Sequence, residues 1–282
     1  MKKLILPILL FCNTISVSAQ DDPAFTMFWN NYNYLNPGSV GLTHQHLGNV
    51  SYNMPQNAFP YASMQAGYGA RIKAVHGGIG VNYINTSYRH FSAMNKMNLT
   101  YSYHLQVGQG NLGIGLAAGV STLKMDYSSL GGTISELGTV RGSTFDLNAG
   151  LMYTVRNFMV GISSTSVNEP TYSRFGYKTP GNYYLVSSYN FQVGQQLELK
   201  PQALINFNKY GTLCNLNLTA TYRQQFWLGA SLGVGAGHFM PGVMAGVDIA
   251  KKIRIGYAYT TEKSRLSGVS GRHEVVLGIR IF

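Results

Sequence analysis

The sequence predicts an all-β fold, a transmembrane antiparallel up-and-down β-barrel of about fourteen strands. Three observations predict it. Charged residues make up 11% of the chain, while Gly (33) and Tyr (20) are abundant; soluble domains carry roughly 25% charged residues. Apolar and polar residues alternate in runs of about ten, the length a tilted strand needs to cross a bilayer, whereas globular strands average about five or six. Short and long connections also alternate along the chain, as the two rims of such a barrel require. A soluble sandwich or solenoid would alternate too, but in shorter runs.

The chain opens with Lys2 and Lys3, an apolar stretch from Leu4 to Phe11, and small residues Ser16-Val17-Ser18-Ala19 before Gln20. This reads as a secretory signal peptide, residues 1–19. Lipidation at Cys12 is the rival reading, and Phe11 is too large for the position before it. The mature chain then holds one cysteine, Cys214, so no internal disulfide is expected. Net charge is +11, and +9 once Lys2 and Lys3 are removed. An exported protein with so few charges is not expected to bind nucleic acid.

Residues 20–45 form a separate N-terminal segment. DDPAFTMFWNNYNYLNPGSVG (21–41) is aromatic and Asn-rich, yet follows no period. A free aromatic tail would be costly. The segment is therefore expected to plug the lumen or the periplasmic mouth. Phe25, Phe28, Trp29 and Tyr32 would be its anchors, and Asn36-Pro37 would turn it towards the barrel, residues 46–282.

Strands are expected in order at 46–54, 60–72, 74–87 and 92–107, the last carrying MNLTYSYHLQV with a fully apolar face. Next come 111–126, 143–155 (alternating FDLNAGLMYTV), 157–167, 182–193 and 196–208. The last five are 213–224, 226–237, 240–250, 252–261 (IRIGYAYT) and 273–282. Short turns fall at Ile72-Lys73, Gly108 to Gly110, Arg156-Asn157, Gly194-Gln195, Gln224-Gln225 and Lys251-Lys252. Long loops fall at Thr86 to Phe91, Tyr127 to Gly142, Asn168 to Gly181 and Thr261 to Arg272. The short-turn rim, and with it both termini, would face the periplasm. Arg71, Lys73, Arg156, Lys251 and Lys252 would form a basic periplasmic rim, either solvated or docking an acidic partner. Tyr127, Tyr172, Arg174, Phe175, Tyr177 and Arg265 on the outer loops are candidate partner contacts.

No catalytic arrangement emerges. The seven histidines show no spacing that ties one to a serine and an orienting acid. His104 falls on a polar face and is expected inside the lumen. Asp146, Glu198, Asp248 and Glu274 interleave with Lys200, Arg223, Arg254 and Arg280, which reads as lumenal ion pairing. His44 and His46 lack a third metal ligand. Gly78-Ile79-Gly80 and Gly113-Ile114-Gly115 lie within strands, where glycine eases packing and bending. Trp227, Tyr222, Tyr257, Tyr259, Tyr101 and Tyr103 are expected on the lipid face, with girdles at its edges. No enzyme activity, cofactor or metal is expected.

Gln20-Asp21-Asp22-Pro23-Ala24-Phe25 and Tyr34-Leu35-Asn36-Pro37-Gly38-Ser39-Val40-Gly41 resemble the N-terminal signature of the PorP/SprF family. That signature is Q-D-P-x-F followed by an N-P-A-x-x-G-like element. Gly38 replaces its alanine, and an extra acid shifts the first element by one. Gly271 to Gly278, GRHEVVLG, resembles the closing H-E-(apolar)-x-L-G strand. The resemblance implies an outer-membrane protein of the Bacteroidetes type IX secretion and gliding system. Such a barrel would bind secreted surface proteins, such as adhesins with a type B C-terminal domain, aiding their export or anchoring them. Periplasmic ring components and outer-membrane lipid would be further partners. The alternative is a passive channel or hydrophobic-solute transporter gated by the N-terminal segment.

Overall fold

The computed structural model describes residues 25–56, 61–88, 91–130, 132–235, 238–264 and 268–281. The signal-peptide reading and Arg265 lie outside them. In chain order the strands are β1 (His46–Pro55), β2 (Tyr61–Ile72), β3 (Gly77–Tyr88), β4 (Ser92–Val107), β5 (Gly110–Asp126), β6 (Thr139–Val155) and β7 (Phe158–Thr165). A small outer hairpin follows, β8 (Thr171–Tyr172) and β9 (Tyr177–Lys178). The wall resumes with β10 (Asn182–Tyr189), β11 (Phe191–Val193), β12 (Leu197–Asn208), β13 (Gly211–Tyr222) and β14 (Phe226–Gly235), and ends with β15 (His238–Ile249), β16 (Ile253–Ser264) and β17 (Gly268–Ile281).

Each wall strand pairs antiparallel with its neighbours. β1 pairs with β17, and β10 with β12, so the sheet closes into a 14-strand barrel. Closure leaves no strand edge to satisfy within lipid. The alternation is realised inside out. Leu99, Leu116 and Leu228 on the outer surface are 65–66% exposed, while inward Ser51, Gln65 and Ser102 are fully buried. An apolar exterior around a polar interior is the arrangement a bilayer imposes.

The short turns are as expected, with one exception: Lys73–Val75 forms a 3-10 turn before β3. His76, Gly108, Arg156, Gly194, Arg223, Gln224, Ala250 and Lys251 all take positive φ there. This matches tight hairpins whose twist follows that of the strands. The outer connections differ more from expectation. Pairing continues to Tyr88↔Ser92 and to Ser264↔Gly268, so two expected long loops are mostly extended hairpin. Their Ser, Thr and Gly content suits a turn, but a ladder above the membrane tolerates it. The substantial outer connections are 127–138 and 166–181. The wall is uneven: β5 and β6 span 17 residues each, β7 and β10 only 8.

Candidate functional site: a lumenal segment on a glycine track

Residues 25–42 lie inside the barrel. Phe28–Asn30 and Pro37–Ser39 form 3-10 turns around one helical turn, Tyr32–Leu35. These short pieces are held by the wall rather than by each other. On five consecutive strands the inward residues Gly78, Ser102, Gly115, Gly150 and Ser163 stand directly opposite one another. Having little or no side chain, they leave a shallow track across β3–β7. Asn36 to Gly41 lies on it. A Cβ on Gly78 would overlap Val40, on Gly113 the Gly38 carbonyl, and on Gly115 the Pro37–Gly38 peptide. A Cβ on Gly38 itself would stand 2.6 Å from the Gly113 carbonyl oxygen and 2.9 Å from that of Gly150. The glycines expected to ease strand packing thus make room for another part of the chain.

Polar groups fix the segment in register. Asn36 is fully buried: its Nδ2 donates to the carbonyls of Leu151 (2.9 Å) and Ile162 (3.2 Å), and its Oδ1 accepts from Gly38 N–H (2.9 Å). Ser163 Oγ donates to Leu35 O (2.6 Å) and Ser102 Oγ to Gly38 O (3.1 Å). His104, inside the lumen, holds the Val40 carbonyl at 2.9 Å. Asn49 and Ser51 both donate to Asn31 Oδ1 (2.9 Å each). Glu274 accepts the backbone N–H groups of Thr26 (2.6 Å) and Met27 (3.0 Å). Phe25, Phe28, Tyr34 and Leu35 bury their side chains in one apolar cluster, with Tyr32 packed against it. Burial pushes the Tyr32 hydroxyl well above its usual pKa. Burying one such large side chain is worth ~1.5–3 kcal/mol.

Trp29 meets Trp227 edge to face, at 5.5 Å between ring centroids. Trp227 therefore points inward, not towards lipid as expected. Its neighbours Phe226 and Leu228 take the lipid side, and Gly246 and Gly256 leave space for its ring. Tyr101, Tyr103, Tyr222 and Tyr257 do face outward. One lumenal ion cluster gathers at Asp248. Asp248 binds Arg254 through two hydrogen bonds of 2.6 Å, and also Arg280 (2.6 Å). Arg223 instead bonds Gln196 at the turn, and Glu274 serves the segment's backbone.

Below the segment a vestibule of about 600 Å³ reaches the short-turn rim. Arg156, Lys200, Lys251, Arg254 and Arg280 line it, against the acids Glu198 and Asp248. His44 lines it too, and burial together with Arg280, Lys200 and Arg254 depresses its pKa to about 4. Of the expected basic rim, Arg71 is turned to the segment, donating to the Gly41 carbonyl (2.7 Å) and that of Leu42. Arg156 donates to Gln109 (2.7 Å), and Lys73 and Lys252 are exposed. His46 bonds Tyr68 (2.7 Å), and no metal-binding group of three or more ligands occurs among the described residues.

At the outer mouth Tyr172 is fully buried, its hydroxyl on Ser121 Oγ, so it is not an exposed contact. Tyr177 stacks on it at 6.1 Å. Phe175 packs over Gly142, Arg174 is exposed and donates to the Arg141 carbonyl (3.3 Å), and Tyr127 lies edge-on to Phe91. Lys178 pairs with Glu169 and holds its carboxyl below the usual range. Beside the hairpin, β6 outgrows β7: pairing with β7 covers only Ala149 to Val155. Val167 N–H and Asn168 cap the edge at Leu147 and at Phe145 O. Those bonds show that the odd-numbered positions of β6 aim their backbone groups at this edge. Among the described residues, nothing pairs with the N–H and C=O of Ser143 on that side.

A family model described as type IX secretion system membrane protein PorP/SprF matches residues 17–279. The chain belongs to the PorP/SprF family. Solved structures share the fold: the toluene transporter TbuX of Ralstonia pickettii (12% identity, TM-score 0.56, covering 88% of this chain and 92% of that one) and TodX of Pseudomonas putida (12%, 0.53, 89% and 92%). Omp33 of Acinetobacter baumannii (14%, 0.50, 86% and 100%) is a third. No curated protein matches the chain. This PorP/SprF protein is thus an outer-membrane β-barrel. Glu274 of the closing stretch meets, in the lumen, the amides of Thr26 and Met27, which lie between the two N-terminal signature elements. That contact was not legible beforehand, because neither motif names its partner.

Proposed function

We propose that this PorP/SprF protein is a non-enzymatic, plugged barrel that holds a secreted surface protein on its outer face. The observation that carries this reading is the outer edge of β6 beyond its pairing with β7, where among the described residues nothing pairs with the N–H and C=O of Ser143, beside the hairpin bearing Arg174, Phe175 and Tyr177. A free strand edge attracts another strand. An extended segment of the secreted domain would add to it by main-chain hydrogen bonds, and the hairpin would supply side-chain contacts. Lys73, Arg156, Lys251 and Lys252 on the opposite rim suit acidic periplasmic components.

Ser143→Pro tests the reading. Proline is tolerated on an edge whose N–H faces outward, so the barrel is expected to assemble normally. Removing that donor blocks strand addition. Surface protein co-purified from native membranes is expected to fall at least ~10-fold, the loss of about 1.4 kcal/mol. Unchanged recovery with normal assembly would sink the docking site. The alternative, a solute channel gated by the N-terminal segment, would require steady conductance from the intact barrel in planar bilayers.

A further inference from the structure

We infer that the periplasm-facing vestibule is a binding site for an acidic peptide segment, with Lys200, Arg254 and Arg280 as its anion-binding floor. This does not depend on what docks at the outer face. Three features carry it. Five cations face two acids across the cavity, and one of those acids, Asp248, is already shared between Arg254 and Arg280. The Lys200 ammonium makes no hydrogen bond or close ion pair among the described residues. Nor do Arg280 Nε, Trp29 Nε1 and Trp227 Nε1 have acceptors, so the walls hold an excess of donors. The site is also amphipathic. Arg254 lies over Trp29 at 4.6 Å and Trp227 at 5.4 Å, and Phe158 and Met159 line the same space. About 600 Å³ falls within the ~300–1,000 Å³ of pockets that enclose small ligands. A short peptide with carboxylates and apolar side chains suits both the charge and the walls, whereas a free phosphate would use only the charge. The short-turn rim leaves the vestibule accessible from the periplasm, where such a segment would be presented.

Trp29 and Trp227 are the chain's 2 tryptophans, and both line the vestibule. Tryptophan fluorescence of the detergent-solubilised full barrel, excited at the red edge where the chain's 20 tyrosines do not absorb, therefore reads this site alone. Titration with hexaglutamate is expected to give a saturable change that hexalysine and inorganic phosphate do not give at the same concentration. Lys200→Gln, which leaves the Asp248 cluster intact, is expected to weaken hexaglutamate about 10-fold, as loss of one charge-assisted contact would. Lys209→Gln, exposed in the β12–β13 turn at the opposite, outer end of the barrel, should not weaken it. Unboiled gel mobility confirms that each variant is folded. No saturable change, an equal response to hexalysine, saturation by phosphate alone, or equal weakening by both substitutions would overturn the inference.

Discussion

Gly115→Leu is expected to expel the N-terminal segment from an otherwise intact barrel. The added Cβ would overlap the peptide between Pro37 and Gly38, which is backbone and cannot swing aside. Even with relaxation, overpacking costs ~1–3 kcal/mol, and three further carbons of leucine follow the first. Each 1.4 kcal/mol is tenfold, so the docking equilibrium should shift on the order of 100-fold. Gly278→Ala is the matched control: it is also a glycine beside the segment, but its nearest neighbour would be Asn30 Oδ1 at 3.4 Å. Protease added to the detergent-solubilised barrel should cleave residues 25–41 in the leucine variant and spare them in the alanine variant. Equal resistance in both would mean that the glycine track does not hold the segment.

Asn36→Asp should be the most damaging isosteric change in the segment. The amide donates to two wall carbonyls and accepts one N–H, so every group it has is used in a site closed to water. A carboxylate keeps the shape but turns two attractions into repulsions and buries an unpaired charge. Breaking a buried charged arrangement in this way costs about 3–5 kcal/mol. Asn36→Ala, which loses the bonds without adding charge, should cost less, about 1–3 kcal/mol. Acid should partly rescue the aspartate variant, since its protonated form restores one donor. Protease resistance of residues 25–41 should therefore rise as pH falls in Asn36→Asp and stay flat in Asn36→Ala. A flat profile in both would show that Asn36 is not enclosed.

The barrel was legible because it follows from local rules. Met97 to Val107 shows its two faces by alternation alone, and Arg156-Asn157 shows its turn. The lumenal contacts were not, because they join residues distant in sequence. Gly78, Gly113 and Gly115 look like ordinary strand glycines until Val40 and Gly38 are set against them. Trp227 is instructive in another way. Its inward direction was available from the flanking Phe226 and Leu228, but a tryptophan in a membrane barrel invites a lipid-facing assignment. Glu274 seemed a partner for an arginine. The register instead sets Asp248 directly across from Arg254, leaving Glu274 to the backbone of Thr26 and Met27. Outer-loop lengths were overestimated because composition marks where a turn is permitted, not where pairing stops.

The central claim is that residues 25–42 are built into the lumen as part of the folded barrel. Hydrogen exchange of the full-length protein, followed peptide by peptide, tests it most directly. The amides of Asn36, Gly38, Ser39 and Leu42 are all hydrogen-bonded within the segment. They are expected to exchange as slowly as the wall peptides around Gly115 and Gly150, because opening them requires the whole segment to leave. Exchange of 36–42 within seconds, while the wall stays protected, would contradict the account.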